Sequence, residues 1–309
     1  MTRMETIYLL GFSIPQSFRF VVFYLFLMIY CVTICGNLLI ITLVSYSKSL
    51  HSPMYFFLSH LSLMDILLST DILPNMICNV LVDKTFMVFS KCLTQFYFFA
   101  IAESSECLLL TAMSWDRYLA ICKPLHYTLE MTYQVCWVLV TISWMLGIFV
   151  AMVHNLTISK LVFCGPNIID HFFCDLEPIL QLSCSDTIIA QWEVMIFGVI
   201  FAVFPFAIIS VSYSYIIITI LKIPSITGRQ KVFSTCSSHL TVVSIYYSTL
   251  VCVYVVPSTE QTRTISKLIS LLYTIVTPMI NPIIYSLRNK EVKKAVGKFI
   301  DNLFGLTCQ

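Results

Sequence analysis

Charged residues are scarce in this chain of 309 amino acids. Asp, Glu, Lys and Arg together make up 11% of it, while hydrophobic residues make up 58%. A soluble domain usually carries about a quarter charged residues, so the composition excludes a soluble globular protein. Disordered and collagen-like chains are excluded as well, because apolar residues are abundant and there are only 8 glycines. A polytopic membrane protein remains.

The chain also lacks a strong excess of either charge. Its 18 Lys and Arg are offset by 16 Asp and Glu, which gives a net charge of +2 without any long basic run. Such a balance argues against a nucleic-acid partner. With the N-terminus outside, the cytoplasmic loops hold eleven of the Lys and Arg and the outer loops seven. This bias predicts a multi-pass membrane protein with its N-terminus outside and its C-terminus inside.

Long stretches with few or no charges define the membrane spans. A hydrocarbon core of about 30 Å needs roughly 20 helical residues. Five uninterrupted stretches are long enough, and two more are equally apolar but hold two acidic residues each. They predict an all-α bundle in a single domain (1–309), with seven transmembrane helices near 20–47, 54–81, 93–115, 132–157, 194–221, 232–257 and 268–287. These stretches are too long and continuous for a β-barrel.

The segment after the last span has a different pattern. Residues 289–304 carry apolar side chains at helical spacing, with Lys293, Lys294 and Lys298 elsewhere on the surface. This pattern predicts a short amphipathic helix on the inner leaflet of the lipid bilayer.

Two acidic residues are predicted to lie at the same depth in the membrane. At 1.5 Å per residue, Asp65 and Glu106 each lie about 16 Å from the cytoplasmic end of their helix. Asn37 reaches the same level, and Asn281 lies somewhat closer to the cytoplasmic end. This group could bind a cation such as sodium, share a proton, or tie the helices together through water.

Prolines within the spans favour a bundle that moves. Pro205, Pro278 and Pro282 each remove a backbone hydrogen bond and create kinks and hinges. A transporter would show the same pattern, and a flux assay would detect one. An intramembrane enzyme would need a nucleophile with a base, and no Ser or Cys with a paired His is apparent at membrane depth.

Several motifs lie in order along the predicted helices. They are Gly36-Asn37, the segments 53–58 (PMYFFL), 114–122 (SWDRYLAIC), 124–127 (PLHY) and 231–240 (KVFSTCSSHL), and 278–289 (PMINPIIYSLRN). In these motifs the chain resembles the rhodopsin-like G-protein-coupled receptors, and among them the odorant receptors. The family usually has Ala-Tyr where this chain has Ser114-Trp115.

The resemblance implies a receptor without enzymatic activity or cofactor. An odorant receptor binds a small volatile molecule in the outer half of the bundle and activates a stimulatory G protein that raises cyclic AMP. The alternative is a rhodopsin-like receptor for a non-odorant small molecule outside the olfactory epithelium.

The resemblance also assigns roles to individual residues. It implies that the G-protein switch consists of Asp116, Arg117, Tyr118, Tyr213, Asn281 and Tyr285. It implies that the ligand contacts Phe99, Glu103, Ser104, Cys107, Phe197, Phe201, Tyr247, Val251, Tyr254 and Tyr273.

Four of the 13 cysteines fall in predicted outer segments, where disulfides are permitted. These are Cys92, Cys164, Cys174 and Cys184, and sequence alone leaves three pairings open. The family resemblance implies Cys92 with Cys174 and Cys164 with Cys184, and Cys92 with Cys184 is kept as an alternative.

Glu103 indicates what the ligand could be. The predicted spans contain no Lys or Arg, and of their three histidines, His60, His154 and His239, only His154 lies at an outer end, so this carboxylate has no Lys or Arg as a partner there. It should either take up a proton or wait for a cationic ligand. The first alternative favours alcohols, aldehydes or ketones as ligands, and the second favours amines.

Overall fold

Helices dominate because a membrane-embedded backbone must satisfy its own hydrogen bonds. The structure, a computed structural model, describes residues 5–82, 84–255 and 263–303. Its seven long helices are α1 (Arg19–Tyr46), α2 (Pro53–Val82), α3 (Phe89–Cys122), α4 (Tyr133–Ser159), α5 (Ile188–Lys222), α6 (Ile226–Val255) and α7, which runs from Arg263 to Arg288. They confirm the predicted seven-helix bundle.

Several helices extend beyond the predicted spans. Six of those in the described ranges are long and apolar enough to cross a membrane. The remaining one, α6, begins six residues before its predicted start at 232, and α3 extends past both of its predicted ends at 93 and 115. The prediction counted apolar residues, but a helical hydrogen-bond ladder continues past the hydrocarbon boundary into water.

The helix that follows the bundle is α8 (Lys290–Leu303), close to the predicted 289–304. Its Val292 and Ala295 are buried, and the Phe299 ring lies 6.3 Å from that of Tyr46 at the end of α1. The apolar face of α8 therefore packs partly against the bundle itself.

Two prolines coincide with wide turns inside their helices. In α5 a π-helical turn, Val199–Val203, comes just before Pro205, and in α7 a second one, Leu272–Val276, comes just before Pro278. A proline has no N–H to donate to the carbonyl four residues earlier, and a π-turn is one way to absorb that loss. Each turn rotates the part of the helix beyond it.

Small residues allow the helices around α3 to approach closely. Helix α3 contacts α2, α4, α5 and α6. At Gly147 in α4 an added Cβ would lie 2.8 Å from the carbonyl oxygen of Ile101, and the nearby Ser105 hydroxyl donates to the Ser143 carbonyl oxygen at 3.1 Å. Backbone contact of this kind is typical of membrane helix interfaces.

A small sheet covers the outer end of the bundle. Strand β1 (Thr6–Leu9) pairs antiparallel with β2 (Thr85–Val88) and parallel with β3 (Ile168–Ile169). Gly11 follows β1 with a φ of 62°, a conformation that favours glycine. The N-terminal segment is thus part of an extracellular lid.

Side chains from the helices fasten this lid. Lys267 of α7 is buried, donates to the Gly11 carbonyl oxygen at 3.0 Å and forms an ion pair with Asp170. The Asn79 amide of α2 donates to the Leu9 carbonyl oxygen at 2.9 Å. Lys267 therefore ties the outer end of α7 to the lid.

We expect Gly147→Val to weaken the bundle, because its side chain would collide with the α3 backbone. The free energy of unfolding should fall by about 1–3 kcal/mol, the usual cost of overpacking. Thermal unfolding of the purified receptor measures this. Gly297→Val in α8 is the matched control, since an added Cβ there meets nothing within 4 Å. Equal stability of the two variants would contradict the packing argument.

Candidate functional site

A cavity of about 690 Å³ lies between α3, α4, α5 and α7, below the segment that joins α4 to α5. Seven of the ten residues predicted to contact a ligand line it: Phe99, Glu103, Ser104, Cys107, Phe197, Phe201 and Tyr273. The structure therefore brings together side chains that lie far apart in sequence.

Helix geometry explains why these side chains meet. Phe96, Ala100, Glu103 and Cys107 are spaced three or four residues apart, so they share one face of α3. Phe201 and Tyr273 lie in the π-turns of α5 and α7. The irregular turns associated with proline thus form part of the cavity wall.

Three predicted ligand contacts are not among the lining residues. Tyr247 is 4% exposed and packs on Phe206, with ring centres 4.9 Å apart. Val251 is 55% exposed and does not line the cavity, so its contact with a ligand stays a prediction. The side chain of Tyr254 lies outside the described residues.

The rotation of α6 about its axis accounts for this difference. Tyr246, not Val251, faces α3, where its hydroxyl lies 2.9 Å from Cys107 Sγ and 3.3 Å from the Glu103 carbonyl oxygen. A largely apolar sequence around these residues gives no sign of which face turns inward.

Sequence reasoning missed the contribution of the loop between α4 and α5. This segment adds polar and acidic side chains to the cavity, namely Asp175, Glu177, Gln181 and Thr187, and α4 and α5 add His154 and Gln191. The available signal was Cys174, because a disulfide to the outer end of α3 would bring the residues after it over the bundle.

Two disulfides hold that loop in place. The structure joins Cys92 to Cys174, with Cα atoms 5.5 Å apart, and Cys164 to Cys184, with Cα atoms 5.8 Å apart. The alternative pairing of Cys92 with Cys184 is not the one in the structure. Both ends of the short helix Leu176–Leu180 are therefore close to a cross-link.

Burial changes the acid–base behaviour of this loop. Asp175 caps the short helix by accepting from the Leu176 N–H at 2.7 Å. Burial raises the pKa of Asp175 to about 6, although that N–H partly offsets the effect. Burial, helped by the Lys267 ammonium, lowers the pKa of His171 to about 3, so this imidazole is neutral at physiological pH. Within the described ranges, no three His, Cys, Asp or Glu side chains form a group that could hold a metal ion.

A second polar group lies deeper in the bundle. Asp65 is completely buried and accepts from the Asn281 amide at 3.2 and 3.1 Å. Glu106 is close enough to interact with Asp65 electrostatically, and its Oε1 is buried without a hydrogen-bond partner among the described residues. The Asn37 amide donates to the Pro278 carbonyl oxygen at 3.1 Å, which ties α1 to α7. Two carboxylates with an unsatisfied oxygen suit one positive charge, either a cation or a shared proton.

At the cytoplasmic end of α3 the predicted switch residues form an ion pair. Arg117 donates through Nε to Asp116 at 2.9 Å, and the Tyr127 hydroxyl donates to the other oxygen of that carboxylate at 2.8 Å. Burial and the Asp116 carboxylate raise the pKa of Tyr127, so it stays a proton donor. Tyr118 instead stacks on Trp115, with ring centres 5.2 Å apart.

The two tyrosines of the predicted switch have different surroundings. Tyr213 of α5 is hydrogen-bonded to His239 of α6, a partner that sequence reasoning did not assign. Tyr285 of α7 is completely buried, and its hydroxyl has no hydrogen-bond partner in the described part of the chain. The inner ends of α5 and α6 are thus joined, while Tyr285 has an unused donor.

The fold is shared with a rhodopsin of known structure. The crystal structure of squid rhodopsin matches 96% of this chain and 89% of its own, with a TM-score of 0.75 and 16% sequence identity. At this identity the likeness establishes the fold alone, which is the rhodopsin-like bundle of seven helices.

Sequence comparison identifies the family. The family model described as "Olfactory receptor" matches residues 26–302. Olfactory receptor 5G3 of Homo sapiens is 47% identical over 293 residues, which is 95% of this chain and 93% of that protein. Olfactory receptor 5G25 of Mus musculus is 48% identical over 299 residues, covering 97% and 94%. The chain belongs to the olfactory receptor family.

Membership of this family defines the general function. The protein is an odorant receptor of the plasma membrane, with several transmembrane helices and an extracellular N-terminus. Its partners are an odorant and a G protein, and it is a receptor rather than an enzyme.

Proposed function

We propose that a small volatile molecule in the 690 Å³ cavity makes this receptor activate a stimulatory G protein and raise cyclic AMP. The observation that carries this proposal is the continuity of α3. Glu103 lines the cavity, and fourteen residues later, about 21 Å along the axis, Arg117 is paired with Asp116. One rigid helix therefore connects the ligand to the cytoplasmic surface.

The contact between α3 and α6 gives a route for the signal. A ligand against Cys107 would disturb the contact of its sulfur with the Tyr246 hydroxyl of α6. If α6 moves outward, the Tyr213–His239 hydrogen bond breaks and Arg117 becomes accessible to the G protein. A ligand that binds this open form more tightly shifts the population toward it.

We expect Arg117→Ala to abolish agonist-dependent cyclic AMP at equal surface expression, because the guanidinium is the group released to the G protein. A cyclic AMP reporter in transfected cells measures this, with the most active member of an odorant panel as agonist. Lys123→Ala, one residue past α3, is the matched control and should keep its response. A normal response in Arg117→Ala would rule out the switch role of this residue.

Tyr127→Phe tests how the resting ion pair is held. The substitution removes the hydrogen bond to Asp116 but keeps the ring. We expect basal cyclic AMP to at least double, since weakening the resting state by about 0.5 kcal/mol, less than one typical hydrogen bond, is enough. Tyr133→Phe, at an exposed position at the start of α4, should leave basal activity unchanged. Unaltered basal signalling in Tyr127→Phe would mean that this bond does not restrain Arg117.

We further propose that Asp65 and Glu106 share one positive charge, supplied by sodium or by a proton. The unsatisfied Glu106 Oε1 and the completely buried Asp65 support this, because two ionised carboxylates at this depth repel each other strongly. The Asn281 amide donates to Asp65 and offsets only part of that cost.

If the two carboxyl groups form one site, their effects on basal activity will not add. We expect Asp65→Asn and Glu106→Gln each to change basal cyclic AMP, and the double variant to differ from the sum by at least about 0.5 kcal/mol. Asp71→Asn, also in α2, is the control and should add to Glu106→Gln. Replacing sodium by potassium in the assay of solubilised receptor distinguishes a sodium ion from a proton. Additive effects of Asp65 and Glu106 would show that they act independently.

A further inference from the structure

Every formally charged side chain that lines the ligand cavity is acidic. Glu103 comes from α3, and Asp175 and Glu177 come from the loop above. The lining includes no Lys or Arg from the described residues. Its one histidine, His154, has Nδ1 3.5 Å from a Glu193 carboxylate oxygen on α5. The acidic groups of this cavity therefore face no Lys or Arg among the described residues that line it.

Glu103 has no counter-ion within the described part of the protein. Its carboxylate takes part in no ion pair, and Asp175 is close enough to repel it electrostatically. The Lys267 ammonium, at the outer end of α7, is engaged by Asp170 and by the Gly11 carbonyl oxygen. Two carboxylates facing one enclosed space are costly unless a cation lies between them or one is protonated.

The rest of the wall is suited to a small organic molecule. Phe99, Phe197, Phe201 and Tyr273 surround the acidic groups with aromatic rings, which bind hydrocarbon and also attract cations through their faces. The volume of about 690 Å³ exceeds that of a small volatile molecule. Charge and shape are therefore consistent with a ligand that has a cationic head and an apolar body.

The same acidic loop also faces the outside. A second cavity of about 390 Å³ under the lid shares Asp175, Glu177 and Gln181 with the ligand cavity, and Asp170 lines it as well. A single turn of helix, Leu176–Leu180, thus separates two acidic spaces.

We propose that this receptor selects protonated amines, with the ammonium group bound between Glu103 and Asp175 and the alkyl or aryl part among Phe99, Phe197, Phe201 and Tyr273. The inference rests on the proposed function, because it takes the cavity to be the odorant site. Sequence offers Glu103 alone as a partner for a cationic ligand. The folded loop brings a second carboxylate, that of Asp175, to the same cavity.

Direct binding to the purified receptor in lipid nanodiscs tests the proposal without relying on signalling. Thermal unfolding is followed during titration with heptylamine, 1-heptanol and heptanoic acid at pH 7.4. We expect heptylamine to raise the Tm at concentrations at least about tenfold lower than those at which the alcohol or the acid does so. A difference of about tenfold is what the alcohol and the acid would lose by lacking the charge interaction of the ammonium group.

Four variants locate the binding group. Glu103→Gln should lose the tenfold preference for the amine, Asp175→Asn should reduce it, and Glu103→Asp should keep it because the charge remains. Asp186→Asn is the matched control, since Asp186 lies on the same outer side of the protein but does not line the cavity. Its preference should be that of the wild type.

Several results would overturn the proposal. They are an alcohol or acid that stabilises the wild type as well as the amine does, no stabilisation by the amine at millimolar concentration, or an unaltered amine preference in Glu103→Gln. Cyclic AMP responses, measured separately, test the proposed function. If the amine binds but evokes no cyclic AMP, the proposed coupling is contradicted and amine selection is not. If the alcohol evokes cyclic AMP and the amine is not preferred, amine selection is contradicted and the coupling is not.

Discussion

The structure depends on one constraint, which is that hydrocarbon cannot hydrogen-bond to a peptide group. The backbone satisfies it by forming long helices, and two of the described spans deviate from α-helical geometry just before a proline that removes a donor. At Pro205 and Pro278 the deviation is a π-turn, and each turn places an aromatic side chain, Phe201 or Tyr273, on the wall of the ligand cavity. The cavity therefore arises partly from the way in which the helices accommodate proline.

Acidic side chains inside the bundle are subject to the same constraint. Asp65, Glu106 and Asp116 are buried, and each is expensive unless a donor or a positive charge accompanies it. Asn281 supplies donors to Asp65, whereas Arg117 and Tyr127 supply them to Asp116. Because α3 carries Glu103, Glu106 and Asp116, a change of charge or contact in the cavity acts on the same rigid element that holds the cytoplasmic ion pair.

The outer end of the bundle is subject to a different constraint, because its loops lie in water and must still be held in place over the cavity. Cross-links, a short sheet and the Lys267–Asp170 ion pair do this together. Cys174 is directly followed by Asp175, so the bond to Cys92 fixes the carboxylate that faces Glu103.

The sequence by itself determined the number of spans and their orientation, because apolar length and charge bias are local properties, whereas the face of α3 that turns toward the ligand came from the family resemblance. The sequence also brought Glu103 and Phe99 together, since residues four apart share a helix face. Only the tertiary structure decided that Tyr246 rather than Val251 faces α3, that Asp175 lies above Glu103, and that Tyr127 and His239 are the partners of Asp116 and Tyr213. The rotation of an apolar helix and the path of a long loop depend on contacts between distant segments, which no local pattern encodes.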